Sequence, residues 1–169
     1  MPRRIGILTG GGDAPGLNAV IRAVVKYAVG QLHWQVVGSE DAFEGLLERP
    51  YRVQALDLVS CKGLLPRGGT ILGTTNRGDP FAWISSDGDV LDRSAEVAEA
   101  VKDLGLEGLI IIGGDGTQKI GLRLMESQGV PVVGVPKTID NDLSATDFTF
   151  GFMSAVGVAT EALDRLHTT

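Results

Sequence analysis

About five times along this chain a short aliphatic run stops at a glycine or polar loop and hands over to a stretch with helical apolar spacing. That rhythm constrains the fold more than any other feature, because strands separated by helices return parallel to one another and bury both sheet faces under the helices. The elements read as a strand over 4–9, a helix over 16–29, a strand over 34–38, a short helix over 42–47 and a strand over 52–56. A long irregular segment, 62–86, contains one short strand over 70–72. A helix follows, capped by Asp92 or Ser94 and ending at Gly105, with Val97, Val101 and Leu104 on its apolar stripe. The clearest buried strand covers 108–112. A helix then runs to about Gln128, closed by Gly129, and a strand over 130–135 is halted by Pro136. After a polar loop, 137–149, a last helix carries Phe152, Ala155, Val156, Ala159, Leu163 and Leu166. The expected fold class is α/β: a three-layer α/β/α sandwich with a mostly parallel sheet and helices on both faces.

Composition removes several function classes. With 15 Lys and Arg against 21 Asp and Glu, the net charge of −6 argues against nucleic acid or an anionic membrane as main partner. Cys61 is the only cysteine, so neither a disulfide framework nor a thiolate metal site is available. The N-terminus enters a strand pattern without a signal-like apolar region, and no run of 18 apolar residues occurs; the expectation is a cytoplasmic protein. Glycine supplies 24 of 169 residues, roughly double the usual 7%. Such an excess fits loops that pass close to ligands.

Three loops at strand ends carry chemistry, and the strand ends are where open α/β sheets bind ligands. The first is Thr9-Gly10-Gly11-Gly12-Asp13-Ala14-Pro15-Gly16-Leu17-Asn18. Three successive glycines let backbone amides approach an anion, with a helix N-terminus behind them; a tight strand–helix turn is the plainer alternative. The loop is neither a Walker A nor a dinucleotide-binding glycine pattern. The second is Gly113-Gly114-Asp115-Gly116-Thr117. A carboxylate among phosphate-cradling amides is repelled by phosphate unless a divalent cation, Mg²⁺ above all, sits between them. Thr117 can cap the helix or donate to a phosphate, and Asp115 can alternatively serve only as a turn residue. The third is Pro136-Lys137-Thr138-Ile139-Asp140-Asn141-Asp142. Asp140 and Asp142 can share a metal or divide roles between proton acceptance and metal holding, unless the loop is merely solvated. Three such loops together point to phosphoryl transfer, which depends on positioning and charge neutralisation.

These three segments, in this order and at these separations, strongly resemble the 6-phosphofructokinase family, and Gly68-Gly69-Thr70, Leu72-Gly73-Thr74 and residues 160–165 also look like family segments. NAD and diacylglycerol kinases share the Gly-Gly-Asp-Gly-Thr loop but not the third segment. The resemblance implies phosphoryl transfer from Mg-ATP to the 1-hydroxyl of fructose 6-phosphate, giving fructose 1,6-bisphosphate in glycolysis. It implies that Asp140 takes the hydroxyl proton, that Thr138 and Ile139 contact the sugar or the transferring phosphate, and that Asp115 binds Mg²⁺ with Asp142 nearby. Gly12, Gly114, Asp115, Gly116 and Thr117 are expected to line the donor.

In the family, glycine at position 116 goes with ATP and aspartate with pyrophosphate, whereas Lys137, expected to bind the donor by steadying the leaving phosphate, is usual in pyrophosphate-dependent members and occurs in some ATP-using bacterial ones. The arginine that contacts the donor phosphates in ATP members aligns with Asn76, and Arg77, one residue on, is expected to take its role. A pyrophosphate-dependent enzyme and a non-catalytic nucleotide-binding member are the alternatives. Residues 1–169 match only the N-terminal, donor-binding half of a family subunit. The expectation is therefore an incomplete subunit of a homotetrameric enzyme, inactive by itself.

Overall fold

A computed structural model describes residues 2–167; Met1, Thr168 and Thr169 lie outside the described residues. Six strands form one sheet in the order β3-β2-β1-β6-β7-β8. They are β1 (Arg4–Thr9), β2 (Gln35–Ser39), β3 (Val53–Leu56), β6 (Leu109–Gly113), β7 (Val132–Thr138) and β8 (Phe150–Gly151). All neighbours are parallel except β2 and β3, which run antiparallel at one edge. The helices are α1 (Leu17–Gly30), α2 (Glu44–Leu47), α3 (Ser94–Asp103), α4 (Asp115–Gln128) and α5 (Phe152–His167).

Alternation along the central strands builds two cores. Leu8, Leu109 and Ile111 face one side and pack with Val97, Val101 and Leu124 of α3 and α4 and with Leu46 and Leu47 of α2. Ile7, Ile112 and Val36 face the other side and meet Leu17, Ile21 and Val25 of α1, with Leu64 and Leu72 from the irregular segment. Consecutive strand residues point to opposite faces, so an unbroken apolar run is what a doubly covered strand requires. This is the expected three-layer arrangement.

Four details differ from the sequence reading. Residues 70–72 form a turn, and Leu72 plugs the core without joining the sheet. The irregular segment instead leads into a two-stranded hairpin, β4 (Trp83–Ile84) and β5 (Val90–Leu91), too short to leave a periodic signal. Pro136 does not halt its strand: β7 continues to Thr138, with Pro136 opposite Gly113. Its other edge is uncovered until β8 begins pairing at Lys137, and an open edge accommodates a residue without an N–H. Finally, the N-cap of α3 is Arg93, with no side-chain cap, and Asp92 Oδ1 accepts the Ser94 N–H beside it. The helix α5 forms as expected and leaves its apolar Met153, Val156 and Leu163 uncovered. Gly129 closes α4 in the left-handed conformation, at φ 67°, as expected.

Candidate functional site

The loops after β1, β6 and β7 meet because those strands are neighbours in the sheet. From β1 the chain crosses to β2 on one side and returns to β6 on the other, so the crevice lies at the switch point of the sheet, where α/β proteins bind ligands. A cleft of about 380 Å³ is lined there by Gly11 to Ala14, Gly114 to Thr117, and Lys137 to Asp140. The structure thus brings together Gly12, Gly114, Asp115, Gly116, Thr117, Lys137, Thr138, Ile139 and Asp140.

The origin of its anion-binding character differs from the expectation of a triple-glycine amide nest. Gly10 donates its N–H to the Ile112 carbonyl at 2.9 Å and Gly11 donates to the Thr75 carbonyl at 2.8 Å. Of the three glycines, Gly12 alone keeps its amide available for a ligand. The larger supply is the first turn of α4, whose amides at Asp115, Gly116 and Thr117 precede the first intrahelical bond, Gln118 N–H to Gly114 O. Gly114 is the N-cap and no side chain caps the helix, so those amides and the positive helix end face the cleft. Thr117 is therefore not a cap. It is buried against Gly10 and Gly113, where a Cβ on either glycine would lie within 3 Å of its side chain.

Lys137 adds a full charge. Its side chain is buried, and its ammonium donates to the Gly12 carbonyl. Burial pushes its pKa down, and the negative charge of Asp13 partly opposes that shift. Asp13 also lines the cleft; it stood in the first motif, but nothing in its spacing marked it as facing Lys137.

The carboxylates are arranged around the mouth. Asp115 is exposed and pairs with Lys119 one turn along α4, at 2.6 Å. The Asp140 N–H donates to Thr138 Oγ1 at 3.1 Å. Asn141 shapes the rest of the third loop: its Oδ1 accepts the Thr149 N–H at 2.9 Å, and its Nδ2 donates to the Asp147 carbonyl at 3.1 Å. Asp142 is not among the residues lining the cleft. Among the described residues, no three His, Cys, Asp or Glu side chains converge on one metal position. The donor set consists of hard oxygens at an open mouth, which suits a magnesium ion whose remaining ligands are phosphate oxygens and water.

Arg77 lies elsewhere. It lines a narrow neck with Ala42, Phe43 and Thr117, and beyond it a cavity of about 590 Å³ walled by Glu44, Asp79 and Trp83. The neck shares Gly11 and Thr117 with the cleft and Arg77 and Gly78 with the outer cavity, so the three adjoin in a row, a trough walled by shared residues. Arg93 braces the outer wall by stacking on Trp83, and Arg123, stacked on the neighbouring Phe81, lies 4.0 Å from Asp79. The family resemblance pointed to Arg77, but no sequence pattern pointed to Ala42 and Phe43 or to the outer cavity.

An α/β protein with an anion cleft at its switch point is the class that this fold and site define. A sequence model of the family described as phosphofructokinase matches residues 4–169. The chain belongs to the phosphofructokinase family. It is 58% identical over 168 residues to an ATP-dependent 6-phosphofructokinase of Chloroflexus aurantiacus and 52% identical over 167 residues to ATP-dependent 6-phosphofructokinase 1 of Synechocystis sp.. Each alignment covers 99% of this chain and 46% of the relative. A pyrophosphate–fructose 6-phosphate 1-phosphotransferase of Streptomyces coelicolor is 51% identical over 166 residues, covering 98% of this chain and 46% of that protein. The chain thus spans about half the length of the curated relatives it matches. Among solved structures, phosphofructokinase from Pichia pastoris in the T-state superposes with a TM-score of 0.86 at 28% identity, over 100% of this chain and 20% of that one. No helix among the described residues is long and apolar enough to cross a membrane.

Proposed function

We propose that this chain forms the donor-binding half of an enzyme that transfers a phosphoryl group from Mg-ATP to the 1-hydroxyl of fructose 6-phosphate, yielding fructose 1,6-bisphosphate. The observation that carries the reading is the convergence, in one cleft, of the α4 N-terminal amides, the buried Lys137 ammonium and the Asp140 loop. The amides of Gly12, Gly116 and Thr117, with Lys137, hold the donor phosphates and offset their charge. Asp140 accepts the proton of the attacking hydroxyl, and Thr138 and Ile139 orient the sugar beside it. Asp115 would hold a magnesium ion, with Asp142 supporting it from the neighbouring loop. When bound, that ion neutralises charge on the transferring phosphate. Arg77, in the neck, contacts the donor beyond the terminal phosphate.

ATP is favoured over pyrophosphate by the trough, because an outer cavity of about 590 Å³ beyond the neck has no use for a donor made only of phosphate. Pyrophosphate remains the second reading, favoured by Lys137 within the cleft. Membership of the family is what supports reading the complete protein as a cytoplasmic, homotetrameric glycolytic enzyme.

Calorimetric titration of this chain with Mg-ATP and with Mg-pyrophosphate tests the donor. Tighter ATP binding is expected, and the reverse order selects the second reading. In an aldolase-coupled assay this chain alone is expected to show no turnover. In the complete subunit, Asp140→Ala is expected to lower kcat by about 10²–10⁴-fold, the usual worth of a general base. Undiminished turnover in that variant overturns the role given to Asp140.

A further inference from the structure

At the neck the chain turns through two consecutive non-glycine residues in the left-handed region: Asp41 at φ 50°, behind the wall, and Ala42 at φ 61°, which lines it. Such backbone persists only when its surroundings over-determine it, and it concentrates at ligand sites. Here the surroundings are specific. The Asp41 N–H donates to the Leu72 carbonyl at 2.8 Å, and the Ala42 carbonyl accepts Ser39 Oγ–H at 2.7 Å. Gly73 leaves the room: a Cβ there would overlap Asp41 Oδ1.

One side chain holds the corner from outside. Arg52 Nη1 donates to Asp41 Oδ2 at 2.8 Å, and its Nε donates to Glu48 Oε2 at 2.6 Å. Glu44 lies within 3.7 Å and Glu40 within 4.0 Å of the same guanidinium. Without Arg52, four carboxylates stand together, and their repulsion acts on the backbone that carries Ala42 and Phe43 into the neck and Glu44 into the outer cavity.

The geometry points to Arg52 as a positioning residue for the donor: through Asp41 it holds the strained corner that forms the nucleoside wall of the trough and so governs preference for a nucleotide over a bare polyphosphate. This rests on the donor reading above. Arg52 touches neither the α4 amides nor Lys137, so its influence is confined to the part of the donor beyond the phosphates.

The test compares Mg-ATP with Mg-tripolyphosphate, which carries the same phosphates and no nucleoside, by calorimetry on this chain and on Arg52→Met and Arg52→Lys, each checked for the native circular dichroism spectrum. The expected result is that Arg52→Met loses about tenfold in ATP affinity with tripolyphosphate affinity unchanged within twofold, and that Arg52→Lys restores most of the loss. If Arg52→Met does not fold, Asp41→Asn takes its place. Asparagine tolerates positive φ but breaks the ion pair, so the same selective loss is expected. Equal loss for both ligands, or none for either, overturns the proposal. A wild-type chain that binds tripolyphosphate as well as ATP overturns it while leaving the phosphate cleft standing. Binding of neither ligand overturns the donor reading and this proposal with it.

Discussion

The ammonium of Lys137 donates to the carbonyl oxygen of Gly12, 125 residues away in the chain, and so ties the end of β7 to the loop after β1. Because burial lowers the pKa of this lysine from its ordinary 10.5, the unfolded chain binds its proton more tightly than the folded one. The sign follows from linkage: stability rises with pH wherever the unfolded state holds more protons. The unfolding free energy of the native chain, relative to Lys137→Met, is therefore expected to increase from the depressed pKa up to about 10.5 and to level off above it. Urea titrations of both proteins across that range check it; a declining difference would mean that attraction to Asp13 outweighs burial.

Gly116 occupies the second position of α4, and a Cβ built there meets nothing within 4 Å. Gly116→Asp is thus expected to fold normally, even gaining about 0.3–1 kcal/mol from a carboxylate at a helix N-terminus. The same carboxylate sits among the amides offered to phosphate. Mg-ATP affinity is expected to drop by about tenfold or more, equivalent to about 1.4 kcal/mol. Thermal melting and calorimetry on one sample separate the two effects.

Asn18 is buried at the start of α1, where its Nδ2 donates to the carbonyls of Arg67 and Gly68 and its Oδ1 accepts the Ile71 N–H. It fastens the irregular segment whose Thr70 and Gly73 in turn hold the Thr9 hydroxyl at the end of β1. Asn18→Ala leaves these groups unpaired, and a loss of about 1–3 kcal/mol is expected. Urea unfolding gives the magnitude, and faster amide exchange at Ile71 shows where the loss falls.

Met153 and Leu163 are 60% and 66% exposed on α5. Replacing both with glutamine is expected to leave the unfolding free energy within about 0.5 kcal/mol of the original, as for surface positions generally. Exposed apolar residues on one helix promote association, so the same double variant is expected to sediment with less self-association.

The layers were legible because β1 and β6 are buried on both faces and therefore read as unbroken apolar runs. The strands of two residues were not, since two residues establish no period. Pro136 misled because the open edge that tolerates it is a property of the assembled sheet. In the site, the three motifs were visible as local patterns, and adjacency of their strands brought them together. The use of the Gly10 and Gly11 amides was invisible, because their acceptors, Ile112 and Thr75, lie far away in sequence. The neck was hidden for the same reason: Ala42, Phe43 and Arg77 share no motif and meet only through packing.

The strand order also imposes a timetable on a newly made chain. Gly12 leaves the ribosome 125 residues before Lys137, which at about 5–20 residues per second amounts to about 6–25 s. For most of that interval β1 can pair with β2, while β6 and β7, which carry the other two sides of the crevice, emerge only towards its end. The phosphate-gripping geometry is therefore a late product of biosynthesis, closed by a lysine whose counterpart has been waiting since the first dozen residues.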